Sequence, residues 1–558
     1  MRRLTRYGVI VAAGMIAAGC TAGSQSSSTS GGSGNGNKAA TNSTLAISNE
    51  SGQLWSCGFN PLNPSDTGLS VGFIYEPLVY VNPLQQGKTT PMLASSYQWS
   101  NGNKTLTFTI RKGVKWTDGK PLTAADVLFT FNLLKKFPAL DLNASWAVLK
   151  SVTQNGNQIV FQFKTAAVPY FYYIADQTPI VPQHIWSTIS NPVTYKDSHP
   201  IGSGPFKMSS CSPQVIKYKK NPSYWQKGMP KIETVYYPAF TSNDPANQQL
   251  ASGKAQWGSQ FIPNIKSYYS KKSADNHYWF PPTVNVSIFI NQQDPILKDV
   301  AVRKAMAYAI DRKKVSDVGE YGYEPPANQT GIVTPTFSSW LDPSLAHAFD
   351  YNPQKAIQTL QAAGYKKKGG LFYTPSGKPL SFRILNIGGY SDWVASVQVI
   401  QNELKQVGIK ITPENLSSTT YDADNYAGKF QLSYNGNESG GPAPYYELRQ
   451  ELYSKNSAPI GKNASTNWER YENPAVDRLI DSYAATADPS KQHDIVRQLE
   501  QVMVRDIPII PVTEGVDWYQ YNTKSISGWV TPGNPYAQPA AYITPDWGVL
   551  LLHLKPKS

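Results

Sequence analysis

The six histidines, at 184, 199, 277, 347, 493 and 553, are the first residues to test for chemistry. A metal site needs ligands on one face, as two histidines four apart on a helix supply, or a histidine beside a cysteine pair. None of the six has such a neighbour, so no metal and no cofactor is expected. Serine chemistry finds no support either, because neither G-x-S-x-G nor S-x-x-K occurs. Gly87-Lys88-Thr89 ends like a phosphate loop, but Asn82 stands where its first glycine belongs. Glycoside hydrolysis asks only for two carboxylates at a set separation in space, which sequence spacing does not exclude. A secreted hydrolase acting on polysaccharide or cell wall therefore stays open as the alternative. What the chain has in quantity is ring surface, with 34 Tyr, 14 Trp and 12% aromatics against 16% charged residues. Ring faces and neutral hydrogen bonds suit a binder better than an enzyme.

The three cysteines divide by position. Arg2, Arg3 and Arg6 precede an apolar run from Gly8 to Gly19, well short of the ~20 residues that span a bilayer. Residues 1–19 thus read as a signal peptide. Ala17-Ala18-Gly19-Cys20 resembles the lipobox of bacterial lipoproteins, which implies diacylation of Cys20. Residues 20–43 are rich in Ser, Gly, Thr and Asn, a flexible tether with little to bury. No later apolar run approaches membrane length, so the lipid would be the one anchor. The expected location is the outer face of the cell membrane, or the periplasm. Cys57 and Cys211 remain, and in an exported chain two cysteines are a candidate disulfide. The net charge of +13 is dispersed, with Lys366–Lys368 its densest run, and gives no reason to expect nucleic acid.

About 515 residues after the tether exceed one ordinary core, so several lobes are expected. The pattern is mixed α and β. Leu106, Phe108 and Ile110 alternate, as do Ile159, Phe161 and Phe163, predicting half-buried strands. Thr123 and Asp126 form a capping box ahead of Val127, Leu128 and Phe131. Val302, Met306 and Ile310 recur every four residues, as a core-facing helix requires. Asn352-Pro353 opens a helix that Gly364 closes, and Asn473-Pro474 and Asp488-Pro489 repeat the opening. Trp393, Val397, Ile400, Leu404 and Val407 lie on one stripe of a helix opened by Asp392 and stopped by Gly408. From 508 to the end the sequence reads as aromatic-rich and irregular.

From Pro91 the chain runs PMLASSYQWSNGNKTLTFTIRKGVKWTDGKPLTAADVLFTF. It continues with HPIGSGPFKM (199–208), NPSYWQKGMPKIETVYY (221–237), INQQDPILKDVAVRKAMAYAIDRKKV (290–315), YNPQKAIQTLQAAGY (351–365) and YENPAVDRLIDSY (471–483). These blocks, in this order, resemble the family 5 extracellular solute-binding proteins, receptors of peptide and nickel ABC importers. The resemblance implies an α/β, two-lobed fold of the periplasmic-binding-protein, Venus-flytrap type (class II) that closes on its ligand by a hinge. Carried onto this chain, lobe I is 44–285 with a small subdomain near 86–195, lobe II is 286–512, and 513–558 returns to lobe I. It also implies a monomeric receptor, not an enzyme, that hands its ligand to the transmembrane subunits of an ABC permease. Most motif residues read as scaffold: the glycines of GSGPF permit a tight backbone path, and Trp116 and Asp118 close a turn.

Peptide-binding relatives keep an amine-holding Asp in the lobe II segment that here reads FQLSYNGNESGGPAPYYELR (430–449). This segment has no aspartate; Glu438 is its only acid before Glu447. It offers Tyr434, Asn435, Tyr445 and Tyr446 instead, side chains that stack on rings and bond hydroxyls. Trp257, Phe261 and Trp393 fall where relatives approach the cleft. The expected site is therefore Trp257 and Phe261 facing Trp393, Tyr434, Tyr445 and Tyr446, with Asn435 and Glu438 nearby. The family default is an oligopeptide, and the missing Asp favours an oligosaccharide whose binding depends little on positive charge. Cys57 and Cys211 are expected to pair within lobe I.

Overall fold

The computed structural model describes residues 43–64, 66–436 and 440–557; Cys20, the tether up to residue 42 and Glu438 lie outside them. Two sheets organise the described chain. The first has seven strands in the order Asn276–Tyr278, Gln520–Asn522, Trp257–Gly258, Thr44–Ser48, Thr234–Pro238, Val215–Lys220 and Phe206–Ser212. Thr44–Ser48 runs parallel to both of its neighbours, with Leu45 opposite Val235 and Ile47 opposite Trp257. The second has five, in the order Lys410–Leu416, Ser381–Ile387, Leu432–Gly436, Pro282–Ile290 and Ile509–Val516. A four-stranded antiparallel sheet from Ala94–Ser100, Thr105–Ile110, Gln158–Phe163 and Leu149–Asn155 stands beside them.

Local sequence explains these elements. Thr105–Ile110 buries Leu106, Phe108 and Ile110 while its alternate threonines stay half-exposed. Helix Ala124–Lys136 starts at the reciprocal Thr123–Asp126 capping box and packs Phe131 edge-on against Phe161, centroids 4.7 Å apart. Asn352, Asn473 and Asp488 each cap a helix whose first residue is proline. Gly202 and Gly204 serve close approach: a Cβ would stand 1.9 Å from the Ile74 carbonyl oxygen and 2.3 Å from that of Phe73. Asp118 accepts from the Lys120 amide at 3.1 Å and so closes its turn.

The stretch after 508 departs from expectation. Ile509–Val516 is a strand, Gln520–Asn522 another, and Asp546–His553 a helix. Every residue of Ile509–Val516 is buried. A strand covered on both faces has no period-two alternation to betray it, which is why it reads as irregular.

The chain passes between the two sheets twice. It leaves the first at 279–281 and returns at 517–519, and the passages are tied together: Trp279 N–H donates to the Tyr519 carbonyl at 3.0 Å and Asp517 N–H to that of Pro281 at 2.9 Å. A disulfide joins Cys57 to Cys211 across 154 positions, Cα atoms 5.9 Å apart. It fixes the loop after the first strand to the edge strand Phe206–Ser212.

Candidate ligand-binding site

Parallel strands end on a common edge, and in open α/β sheets ligands gather at the carboxyl ends. Here the carboxyl ends of two sheets face each other. From the first come Ser48, Asn49 and Glu50, then Gly258 to Phe261; from the second come Asn386 to Tyr390, Leu416 to Ser418, and Gly436. Direct contacts close the seam. Asn243 Nδ2 donates to Ser391 Oγ and to Asp392 Oδ1, both at 3.2 Å, and Thr419 Oγ1 donates to Gln53 Oε1 at 2.9 Å.

Carboxylates dominate this seam. Glu50 is buried against Asp392, with Tyr390 beside it; burial first, then Asp392, push the Glu50 carboxyl well up. Glu320 and Glu324 sit four residues apart just beyond helix Arg312–Gly319. Ser396 Oγ donates to Glu320 at 2.7 Å and Thr513 Oγ1 to Glu324 at 2.6 Å. Burial and mutual repulsion drive the Glu320 carboxyl well up; burial, with Asp392 adding, raises Glu324. Asp392 is raised by burial, against hydrogen bonds from its own N–H, that of Trp393, and Asn243. Asp517 lies close by, pushed up to about 7 by burial, and the Tyr542 hydroxyl faces Asp517, Glu324 and Asp392 together. Among the described residues no lysine or arginine forms an ion pair with Glu50, Glu320, Glu324 or Asp392.

A second contact lies between helix Pro444–Leu452 and residues 167–176. Tyr446 donates to the Pro169 carbonyl at 2.9 Å, with its ring 5.0 Å from Tyr172 and 5.4 Å from Tyr173. The Arg449 guanidinium is buried over the rings of Tyr170, Tyr173 and Tyr453 at 5.1–5.6 Å, and donates to the Tyr170 hydroxyl at 3.2 Å.

The expected site residues that the structure describes fall into four places. Trp257 is fully buried in the first sheet, its indole N–H donating to the Pro539 carbonyl at 3.0 Å. Phe261 packs near the crossing segments, 5.4 Å from Trp518 and 5.8 Å from Tyr321. Trp393 is half-buried and meets Tyr434 edge-on at 5.5 Å; the Tyr434 hydroxyl faces Glu320 and Glu324. Asn435 follows in the same strand, half-buried opposite Ser287. Tyr445 stacks flat on Tyr483 at 4.2 Å, so one face of its ring is already covered, and Tyr446 belongs to the second contact. Among the described residues no ring pair joins Trp257 to Trp393 or Tyr445. Trp393 and Tyr434 thus share the seam with the acids, while Tyr445 and Tyr446 lie at the second contact, against Tyr170 and Tyr173. Sequence reasoning passed over Glu50, Glu320 and Glu324 because they lie in two distant segments with no motif. The spacing of Glu320 and Glu324 was the one visible signal.

Residues 88–459 match the family of bacterial extracellular solute-binding proteins, family 5, middle region. A Brucella ovis protein described as a candidate ABC transporter peptide-binding protein is 30% identical over 448 residues, covering 78% of this chain and 80% of its own. The periplasmic oligopeptide-binding protein of Thermotoga maritima, crystallised with mannohexaose, superposes with a TM-score of 0.86 at 28% identity, over 93% of this chain and 99% of that one. The oligopeptide-binding protein AppA of Bacillus subtilis, holding a nonapeptide, shares the fold with a TM-score of 0.79 at 22% identity, over 92% and 99%. The chain belongs to the family 5 extracellular solute-binding proteins. It has their two-lobed class II fold and is a substrate-binding component of an ABC transporter, in a family of binding proteins.

Proposed function

We propose that this protein captures an oligopeptide or an oligosaccharide between its lobes and delivers it, unaltered, to the transmembrane subunits of an ABC importer. The observation that carries the reading is the seam itself: strand ends of two sheets, joined by only two backbone crossings, meeting through polar side chains. Such an arrangement opens by rotation at the crossings and closes on what lies between. Lobe I is then 44–285 plus 513–558 with its subdomain near 86–195, and lobe II 286–512. Thermal-shift screening against peptides and oligosaccharides tests it, since a ligand at 100 times its Kd adds ~2.7 kcal/mol. Recovery of shortened oligosaccharide would replace the receptor with a hydrolase.

Export as a lipoprotein belongs to the same reading. Cys20 becomes the diacylated N-terminus, and the body works as a monomer at the outer face of the cell membrane, or in the periplasm, on its 20–43 tether. Cys20→Ser is expected to release the protein or leave it unprocessed. A mutant still membrane-bound and cut at the same place would exclude lipidation.

A further inference from the structure

We propose that the seam holds a subsite for a cationic group of the ligand, formed by Glu50 of the first lobe with Asp392, Glu320 and Glu324 of the second. The inference rests on the receptor reading above and names the chemistry its ligand carries at this point. Four carboxylates converge there from both sides, with Asp392 at the centre facing Glu50, Glu320 and Glu324. The other titratable groups against them are acids and phenols, Asp517, Asp422, Tyr390, Tyr434 and Tyr542. Hydrogen bonds reach only part of the group. Glu320 Oε2 is fully buried without a partner, and so is Glu50 Oε1.

An independent neutral group points to the same place. The Ser418 hydroxyl, on the second lobe and 5% exposed, has no hydrogen-bond partner. It lies against Gly52, whose added Cβ would stand 1.8 Å from Ser418 Oγ and 3.5 Å from Glu50 Oε1. Two unpartnered oxygens from opposite lobes therefore flank one glycine. Buried acceptors left without donors cost free energy, and buried carboxylates near one another cost more, unless a cation with several N–H groups arrives. An ammonium supplies three donors and one positive charge. The lack of aspartate in 430–449 concerns that segment alone; the acids of the seam enter from strand ends, from a helix start and from the loop after Gly319.

An ammonium could be borne by a peptide or by an amino sugar, and matched probes separate them. Tetra-alanine and N-acetyl-tetra-alanine form one pair; the glucosamine tetramer and its fully N-acetylated counterpart form the other. Calorimetric titration of the full protein at pH 7.5 is expected to show the amine of one pair binding at least tenfold tighter than its acetylated partner. That advantage should be lost in Asp392→Asn and in Glu50→Gln, each checked for an unchanged far-ultraviolet spectrum. In wild type tetra-alanine, whose α-amine stays protonated to about pH 7, should bind more tightly as pH rises from 5 to 7, because its partners ionise. Acetylated probes that bind as tightly as the amines overturn the subsite and leave the receptor reading intact. An amine advantage that survives in both variants overturns it equally. Failure of all four probes to bind overturns the subsite together with these two ligand classes.

Discussion

Two of the contacts between the lobes have opposite character. Around Asp392 the closed seam buries carboxylates beside carboxylates, with oxygens left unbonded. Around Tyr446 and Arg449 it buries ring against ring, and the Arg449 guanidinium lies over three tyrosine faces. The aromatic contact gains from closure whatever the ligand, since it removes apolar area from water and aligns rings edge to face. The acidic contact is penalised by closure until something compensates it. One holds the lobes together; the other makes holding them conditional on cargo.

The strongest way to break the contrast is to loosen one wall of the acidic side. Cys57 anchors the loop that carries Gln53 toward Thr419, so removing the disulfide frees that wall and leaves the aromatic contact untouched. For a loop of 154 positions the chain-entropy relation gives about 5 kcal/mol. Cys57→Ser with Cys211→Ser should lower the midpoint of urea unfolding accordingly, and an unchanged midpoint would show the bridge to be idle. On the aromatic side, Tyr446→Ala deletes a ring that is 6% exposed and should cost about 3–5 kcal/mol, while Tyr446→Phe loses one hydrogen bond, about 1 kcal/mol. Equal losses for the two substitutions would mean that the hydroxyl, not the ring, carries the contact.

The acidic side responds in the opposite sense. Asp392 is raised by burial, so its effect on stability is harmless at low pH and becomes a penalty as pH rises through the folded-state value. Asp392→Asn should therefore stabilise the ligand-free protein at pH 8 by roughly 1–3 kcal/mol and change little at pH 4. Destabilisation at pH 8 would place a hidden cation at the seam. The smallest effect concerns a neutral ligand. Closure on it buries carboxylates and takes up protons, so its affinity should weaken severalfold from pH 5 to pH 8; a flat profile would mean the acids stay hydrated when the lobes close.

The two sides also differ in how far the sequence exposed them. Helix caps at Thr123, Asn352, Asn473 and Asp488 are local rules and stand where spacing placed them. The stripe Val397, Ile400, Leu404 and Val407 is buried as its period implies, with Trp393 half-exposed at the seam. Tyr445 and Tyr446 were visible as ring surface, but their neighbours were not: Tyr483 is 38 positions away and Tyr173 far upstream, and neither has a pattern in common with them. Glu50 and Asp392 are separated by most of a domain, and nothing local marks two acids that only tertiary folding brings together. Periodicity reports which face a side chain takes. It does not report what it meets there.

The position of Gln520–Asn522 inside the first sheet has a consequence for how the molecule is made. That strand pairs with Asn276–Tyr278 on one side and Trp257–Gly258 on the other, so it bridges segments synthesised some 240 residues earlier. Until residue 522 has emerged, the edge of Trp257–Gly258 stays unpaired, and Pro282–Ile290 likewise waits for Ile509–Val516, while Ser381–Ile387, Lys410–Leu416 and Leu432–Gly436 already have one another. Such long-range closure is slow. Both main sheets are thus completed by the late segment 509–522, so whatever folds earlier in either lobe keeps an open edge until that segment arrives.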